Sequence, residues 1–489
     1  MATPLPRNRV EIGGAAELAE IVLGRVVRAG APASATSRGV CTDSREVEPG
    51  DVFVALVGET HDAHAFLADV VARGAALVVV SRDVSVPDHV GVVRVESTLA
   101  ALGRLGTWQR VHAPQLSTVI GITGSVGKTT TKEMCAAVLE DLAPGHVVAT
   151  RGNLNNLVGV PRTLLTVEAG TTYAVVEIGM NVPGEITQLC EIARLDVGIV
   201  TSVAAVHTEG VGSIEGVARE KGSLLTSLTE KGTAIFDADE PLLAPYVAAS
   251  KAARKLGFGK DAGASVQLVS RTATPHGQTV VYRVASAPHD LVVDLAILGE
   301  GAAKNAAAAI ALAWALAGER GLQSAQRGLE SLKPEPGRLC PIRGPGGTVV
   351  LDDTYNASPR AVINAIDTAT ELARATNGRI VAVLGDMLEL GALETEMHAL
   401  VGEHVALAGV SLFVACGKRM RAAADEAREM GADLVIAVDD PMQAIDEVDR
   451  FLIEGDVVIV KGSRGMRMER VVEGILARRS SAGGEAAPR

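Results

Sequence analysis

The sequence predicts an α/β protein of several domains built on mostly parallel, doubly wound sheets. The chain has 489 residues, more than one ordinary core organises. Short apolar runs alternate with helix-length segments along most of it, the rhythm of parallel strands joined by crossover helices. Its 52 glycines follow no collagen-like period and suit tight strand-to-helix turns. Hydrophobic residues make up 47% but aromatics only 2%, so the cores are built from Ala, Val, Leu and Ile.

Three blocks follow in order. The first, 1–115, carries short β-rich runs such as Asp51-Val-Phe-Val-Ala-Leu56 and Ala76-Leu-Val-Val-Val80 between helical stretches. The second, 116–332, opens on the apolar run Thr118–Thr123 and places further strands at 173–178, 197–201 and 233–236. Within it, 265–298 alternates polar and apolar residues and reads as an all-β insert. The run 306–317 is too short to span a membrane and reads as a buried Ala-rich helix. Lys333-Pro-Glu-Pro-Gly-Arg338 reads as a linker. The third block, 333–489, repeats the strand–helix rhythm with strands at 349–352, 380–384, 412–416, 434–438 and 457–461, an open doubly wound, Rossmann-like sheet. The tail 480–489 is rich in Ser, Gly and Ala.

Composition excludes some functions. A formal charge of -12 argues against a protein that coats nucleic acid or an anionic membrane. The five cysteines are scattered without zinc-ligand spacing and read as small core residues in a reducing compartment. No apolar segment follows the arginines of residues 1–13, so the expectation is a soluble cytoplasmic protein without membrane insertion.

The strongest local signal is Thr118-Val-Ile-Gly-Ile-Thr-Gly-Ser-Val-Gly-Lys-Thr-Thr130, an apolar strand running through a Gly-rich turn into a helix. Gly124, Ser125, Val126, Gly127, Lys128, Thr129 and Thr130 form the candidate nucleotide loop. Its glycines let backbone N–H groups turn toward phosphate oxygens. Lys128 supplies a cation for the β- and γ-phosphates of ATP, and the Thr129 hydroxyl suits Mg²⁺. Ile122 stands where the general phosphate-loop pattern has its first glycine. Taken singly, Glu177 and His207 read either as metal ligands at strand ends or as a solvated carboxylate and a hydrogen-bonded imidazole.

The loop without that first glycine resembles the Mur ligase family, whose form is Thr-Gly-x-x-Gly-Lys-Thr. The resemblance continues in Arg151-Gly-Asn-Leu-Asn-Asn-Leu-Val-Gly-Val-Pro161, Glu177-Ile-Gly-Met-Asn181, Ala205-Val-His-Thr-Glu-Gly210, Ala218-Arg-Glu-Lys-Gly222 and Asp352-Asp-Thr-Tyr-Asn-Ala357, in order over nearly the whole chain. Leu384-Gly-Asp-Met-Leu-Glu-Leu-Gly391 and Val460-Lys-Gly-Ser-Arg-Gly-Met-Arg-Met-Glu469 are similar to members that add D-alanyl-D-alanine to UDP-N-acetylmuramoyl-tripeptide. Members that add the third residue carry Asp-Asn-Pro-Arg and Lys-Gly-His-Glu there instead.

The resemblance implies a UDP-sugar domain at 1–115, an ATP-binding domain at 116–332 and a domain for the amino acceptor at 333–489. It implies ligation through an acyl phosphate, with ATP and Mg²⁺ as cofactors and the two peptidoglycan precursors as small-molecule partners; the expectation for the chain itself is a monomer. Thr129, Glu177, His207 and Lys221 are the implied metal-binding set, Lys221 after reaction with CO₂; an ordinary helix-surface lysine is the alternative. Arg338 is implied at the γ-phosphate, Asp353 at the ribose and Asn305 at the adenine, with Tyr355 beside the base or, alternatively, an ordinary core residue. In Asn305's neighbourhood Ala-Ala-Lys-Asn replaces the Gly-x-His-Asn of relatives. Ser44 and Arg45 are implied for the uridine diphosphate, and Asn153, Asn155 and Asn156 for the sugar-peptide, with turn-forming Asn as the alternative. Other ligases of Mur or folylpolyglutamate type, and a nucleotide switch driven by hydrolysis, are the competing functions.

If Lys128 neutralises the phosphates during transfer, Lys128→Ala keeps its fold and loses on the order of 10²-fold or more in turnover. Circular dichroism and a coupled ADP-release assay check both halves of that expectation.

Overall fold

The computed structural model describes residues 10–30, 39–58, 61–204 and 213–478. The segment 205–210, with His207, lies outside the described residues. Contacts divide the chain into two units: Met1–Gln267 with Val284–Ser286 and Asn305–Gly328, and Leu268–Arg283 with Ala287–Lys304 and Leu329–Arg489.

The first unit holds two sheets. In the smaller, the strands lie in the order Arg25–Arg28, Gly91–Arg94, Leu77–Val80, Val52–Val54 and Val40–Cys41. The last four are parallel, and Arg25–Arg28 closes one edge antiparallel. The helix Thr98–His112, capped by Ser97 Oγ accepting from the Ala100 N–H at 3.2 Å, buries Ala101, Leu102 and Leu105 against this sheet. Its other side meets the following layer. Gly106 sits so close to Pro161 that a Cβ there would lie 2.8 Å from the proline Cα. Gln109 Nε2 donates to the Val167 carbonyl at 2.6 Å, and Arg110 pairs with Asp196 at 2.6 Å.

In the larger sheet the strands Val147–Ala149, Tyr173–Glu177, Thr118–Thr123, Val197–Val200, Thr233–Asp237 and Arg254–Gly259 lie side by side, all parallel. The four central ones are buried apolar runs, as expected of a sheet covered on both faces. The flanking strands Val147–Ala149 and Arg254–Gly259 escaped the sequence reading. One is three residues long, and the other, Arg-Lys-Leu-Gly-Phe-Gly, has no apolar run. The Ala-rich segment is helical within Glu300–Ser331, with Ala306–Ala313 fully buried; two helices meet at Gly318, whose φ of 55° and ψ of -132° are non-helical.

The strand Val266–Thr274 begins beside Arg254–Gly259 and continues into the second unit, where Gly277–Val284 pairs antiparallel with Leu291–Leu295. These are the strands expected of the β insert. The second unit's main sheet runs Cys340–Arg343, Val349–Asp353, Val457–Lys461, Ile380–Gly385, Leu412–Cys416 and Val435–Val438. It is parallel except for its first edge strand. Helices Pro359–Thr376, Glu394–Leu407 and Arg421–Glu429 cover one face and Ala444–Phe451 with Glu469–Arg478 the other. No helix among the described residues is long and apolar enough to cross a membrane.

The starts of two central strands in this unit are clamped by an ion pair. Arg379 makes two bonds to Asp456, at 2.9 and 2.7 Å, donates to the Phe451 carbonyl at 2.8 Å, and lies 4.2 Å over the Phe451 ring. The Asp456 side chain is 1% exposed while that of Arg379 is 35% exposed. Arg379→Met therefore orphans a buried carboxylate and is expected to destabilise the second unit by about 2 kcal/mol, short of the full cost of breaking a wholly buried pair. Urea unfolding followed by near-ultraviolet dichroism measures it. Turnover well below the melting temperature stays normal, because the clamp sits at the strand starts.

Candidate functional site

The site gathers at the carboxyl ends of the first unit's central parallel strands, where open α/β sheets bind ligands. Strand Thr118–Thr123 lies between Tyr173–Glu177 and Val197–Val200, with Ile122 opposite Glu177 and Thr123 opposite Val200. The phosphate loop leaves the middle strand and enters the helix Lys128–Leu142. Gly124 takes φ 154° and would place a Cβ 1.9 Å from Thr201 Oγ1; Gly127 takes φ 88°, in the left-handed region.

The loop is fastened from below. Ser125 N–H donates to the Ser202 carbonyl at 2.9 Å, Val126 N–H to Ser202 Oγ at 3.0 Å, and Thr201 Oγ1 to the Val126 carbonyl at 2.6 Å. Ser125 Oγ and the backbone of Ala204 bond both ways, at 3.1 and 2.8 Å. No side chain caps the helix that starts at Lys128, so its first-turn N–H groups form an anion-binding end. Lys128 Nζ donates to the Gly124 carbonyl at 2.8 Å, which keeps the ammonium over the loop.

Glu177, 3% exposed, ends the neighbouring strand. Its Oε2 accepts from Thr129 Oγ1 at 3.0 Å and its Oε1 from Asn155 Nδ2 at 2.9 Å. A hydroxyl and a carboxylate within hydrogen-bond distance at the loop are a hard-oxygen pair that fits Mg²⁺. Among the described residues no three His, Cys, Asp or Glu side chains converge on a metal-sized site.

Lys221 is not a surface lysine. It lies on the helix Ile214–Thr226 and is 3% exposed. Burial, helped by the charge of Lys128 and opposed by Glu220, pushes its ammonium from 10.5 down to about 7. Burial thus favours the neutral amine, the form that reacts with CO₂.

The other sequence candidates have these places. The Asn305 amide packs on the phosphate loop: a Cβ at Gly127 would lie 2.6 Å from Asn305 Oδ1. Asn156 Oδ1 accepts from the N–H groups of Val158 and Gly159 and so caps the helix Gly159–Leu165. The Asn153 carbonyl accepts from the Asn155 N–H at 2.8 Å. Asp43 accepts three bonds from Arg45, at 2.9 Å from its backbone N–H, 2.9 Å from Nε and 2.6 Å from Nη2, and Arg45 holds its carboxyl down to about 2; Ser44 lies between them in the chain.

Within the second unit, Arg338 pairs with Glu335 at 3.0 Å and stacks 4.3 Å over Tyr355. The segment read as a linker is fastened at its end. Gly337 N–H donates to Asp352 Oδ2 at 2.9 Å and Leu339 N–H to Asp353 Oδ1 at 3.1 Å, while Lys461 Nζ lies 2.6 Å from Asp353 Oδ2. Sequence reasoning missed Thr150, Thr201, Ser202 and Lys132 as parts of the site. Lys132, four residues after Lys128 on one helix and beside its buried stripe, carried the one local signal.

A phosphate loop, an acidic strand end and a buried lysine on covered parallel sheets make a nucleotide-dependent site suited to phosphoryl transfer. The Mur ligase middle domain matches residues 122–313, and the Mur ligase, glutamate ligase domain matches 337–464. UDP-N-acetylmuramoyl-tripeptide--D-alanyl-D-alanine ligase of Escherichia coli (strain K12) is 35% identical over 91% of this chain and 94% of its own length. The ligase of the same name from Bacillus subtilis (strain 168) is 34% identical over 90% of this chain and 93% of its own. MurF from Acinetobacter baumannii superposes with a TM-score of 0.83 at 31% identity, covering 97% of this chain and all of that one. MurF ligase from Thermotoga maritima in complex with ADP gives 0.79 at 28% identity, over 91% and 98%. The chain belongs to the Mur ligase family.

The depressed Lys221 has a consequence for stability. Unfolded, the amine binds a proton up to about pH 10.5; folded, it releases it near 7, so native Lys221 penalises folding fully below pH 7 and progressively less above it. In CO₂-depleted, Mg²⁺-free buffer, Lys221→Met is therefore expected to raise the melting temperature most below pH 7. The advantage over the parent shrinks as pH rises toward 10. Thermal melts across that range measure it.

Proposed function

We infer that the protein is an ATP-dependent ligase joining D-alanyl-D-alanine to UDP-N-acetylmuramoyl-tripeptide. The observation that carries the reaction class is the phosphate loop facing the Thr129–Glu177 oxygen pair. The particular substrates follow from relatives of that name, similar over nine-tenths of the chain.

The reaction makes a poor electrophile reactive. The bond from the γ-phosphorus of ATP to its bridging oxygen breaks, and a carboxylate oxygen of the sugar-peptide takes the phosphoryl group. The amine of D-alanyl-D-alanine then attacks the acyl carbon and loses a proton as inorganic phosphate departs. The first step brings anions together, so fixed cations and N–H dipoles lower its barrier most. The N–H groups at the start of the helix Lys128–Leu142 hold the phosphates, and Lys128 neutralises the transferring group. Mg²⁺, when bound, supplies further neutralisation of the phosphates.

Thr129, Glu177 and His207 are proposed to hold it, with Lys221 as its carbamate; the amine that releases its proton near pH 7 supports that assignment. Gly124 through Thr130 and Asn305 are proposed for ATP, with Arg338 and Asp353 completing its contacts at the phosphates and ribose. Ser44 and Arg45 take the uridine diphosphate, and Asn153 and Asn156 face the sugar-peptide. The domain limits proposed are 1–115, 116–332 and 333–489. The enzyme is proposed to work as a monomer in the cytoplasm, where its soluble precursors are assembled.

Phosphate release is measured with ATP, the UDP-tripeptide and D-alanyl-D-alanine, each omitted in turn. Release that needs all three is expected. Release with ATP alone identifies a hydrolytic switch, and release with a folate and glutamate in place of the UDP-tripeptide and the dipeptide a folylpolyglutamate-type ligase. In the same assay Lys221→Ala is nearly inactive and regains part of its turnover on addition of a short carboxylic acid, which supplies the missing anion.

A further inference from the structure

Glu177 is held from two directions by groups outside its own strand. Asn155 Nδ2 donates to Oε1 at 2.9 Å, and the Asn155 carbonyl in turn accepts from the Gly179 N–H at 2.7 Å. The approach is tight: a Cβ on Gly179 would lie 2.8 Å from Asn155 Cγ. With one oxygen engaged by the amide, the carboxylate keeps the rotation that presents Oε2 to Thr129 Oγ1.

From the other direction, the Glu177 N–H donates to Thr150 Oγ1 at 3.0 Å, and the Thr150 carbonyl accepts from Lys132 Nζ at 2.8 Å. Lys132 is 2% exposed and also pairs with Glu133 at 2.5 Å. A buried ammonium is costly beside an apolar residue of the same size, so it stabilises the fold poorly for its place. What it does achieve is a tie between the phosphate-loop helix and the backbone that carries Glu177.

We propose that Asn155 and Lys132 are positioning residues for the Glu177 carboxylate, Asn155 by fixing its rotation and Lys132, through Thr150, by fixing the strand end that bears it. Asn155 is thereby removed from the sugar-peptide contacts that its motif implies. The proposal rests on the reading of Glu177 as a Mg²⁺ ligand. Groups that orient a ligand change metal affinity without touching the metal, commonly by 10–100-fold when removed.

The test is calorimetric titration of the full chain with ADP, once with Mg²⁺ and once with EDTA, which needs no turnover. In Asn155→Ala and Lys132→Met the gain in ADP affinity due to Mg²⁺ is expected to fall about tenfold, with affinity in EDTA within about twofold of the parent. Lys132→Arg, which keeps the donor, restores part of the gain. An undiminished gain in both variants overturns the proposal. So does an equal loss with and without Mg²⁺, since that marks damage to the nucleotide site as a whole. Glu177→Gln separates the two levels. If it keeps the gain, the reading of Glu177 as a ligand fails. If it loses the gain while Asn155→Ala and Lys132→Met keep it, only the positioning role fails.

Discussion

The hydrogen bond from Thr129 to Glu177 is the contact on which the site depends. It joins the second residue of the phosphate-loop helix to the last residue of the adjacent parallel strand, 48 positions on. It forms because the register sets Ile122 opposite Glu177, so loop and carboxylate leave the sheet at the same level. A one-residue slip would turn Glu177 to the other face and destroy the pair. The low aromatic content is no handicap, since Val, Ile and Ala fill these narrow layers.

The same ends carry most of the constraint on the backbone. Gly124 is pressed against Thr201, and Ser202 takes two loop N–H groups, so the third strand's exit acts as a floor under the loop. A loop held this way keeps the uncapped start of the following helix in place before any ligand arrives, which lowers the reorganisation a bound anion would need.

The charges follow a matching logic. The chain as a whole is acidic, yet Lys128, Lys132 and Lys221 all belong to this one site. They differ by environment. Lys128 lies over the loop on the Gly124 carbonyl, Lys132 is paired with Glu133, and Lys221 is driven toward neutrality by burial and by Lys128. One residue type thus serves as cation, tie and amine.

The sequence by itself determined the α/β class, the central strands of the larger sheets, the buried Ala-rich helix and the phosphate loop. Those properties are local: apolar runs set by sheet burial, glycines set by a turn, Lys and Thr set by the helix that follows. It also carried the family through motifs whose order survives without knowledge of contacts. Only the tertiary structure decided that Asn155 bonds Glu177 while its neighbour Asn156 caps a helix, since Arg151-Gly-Asn-Leu-Asn-Asn156 offers equivalent amides. It alone decided that Ser202 lies under the loop, 76 positions from its partner Val126, and that Lys221 is buried. Each depends on which strand ends are neighbours and which helix covers them, and charge patterning in Arg219-Glu-Lys221 pointed the other way. Position in a sequence fixes what a side chain is able to do; desolvation and partners, which only the packed fold supplies, fix what it does.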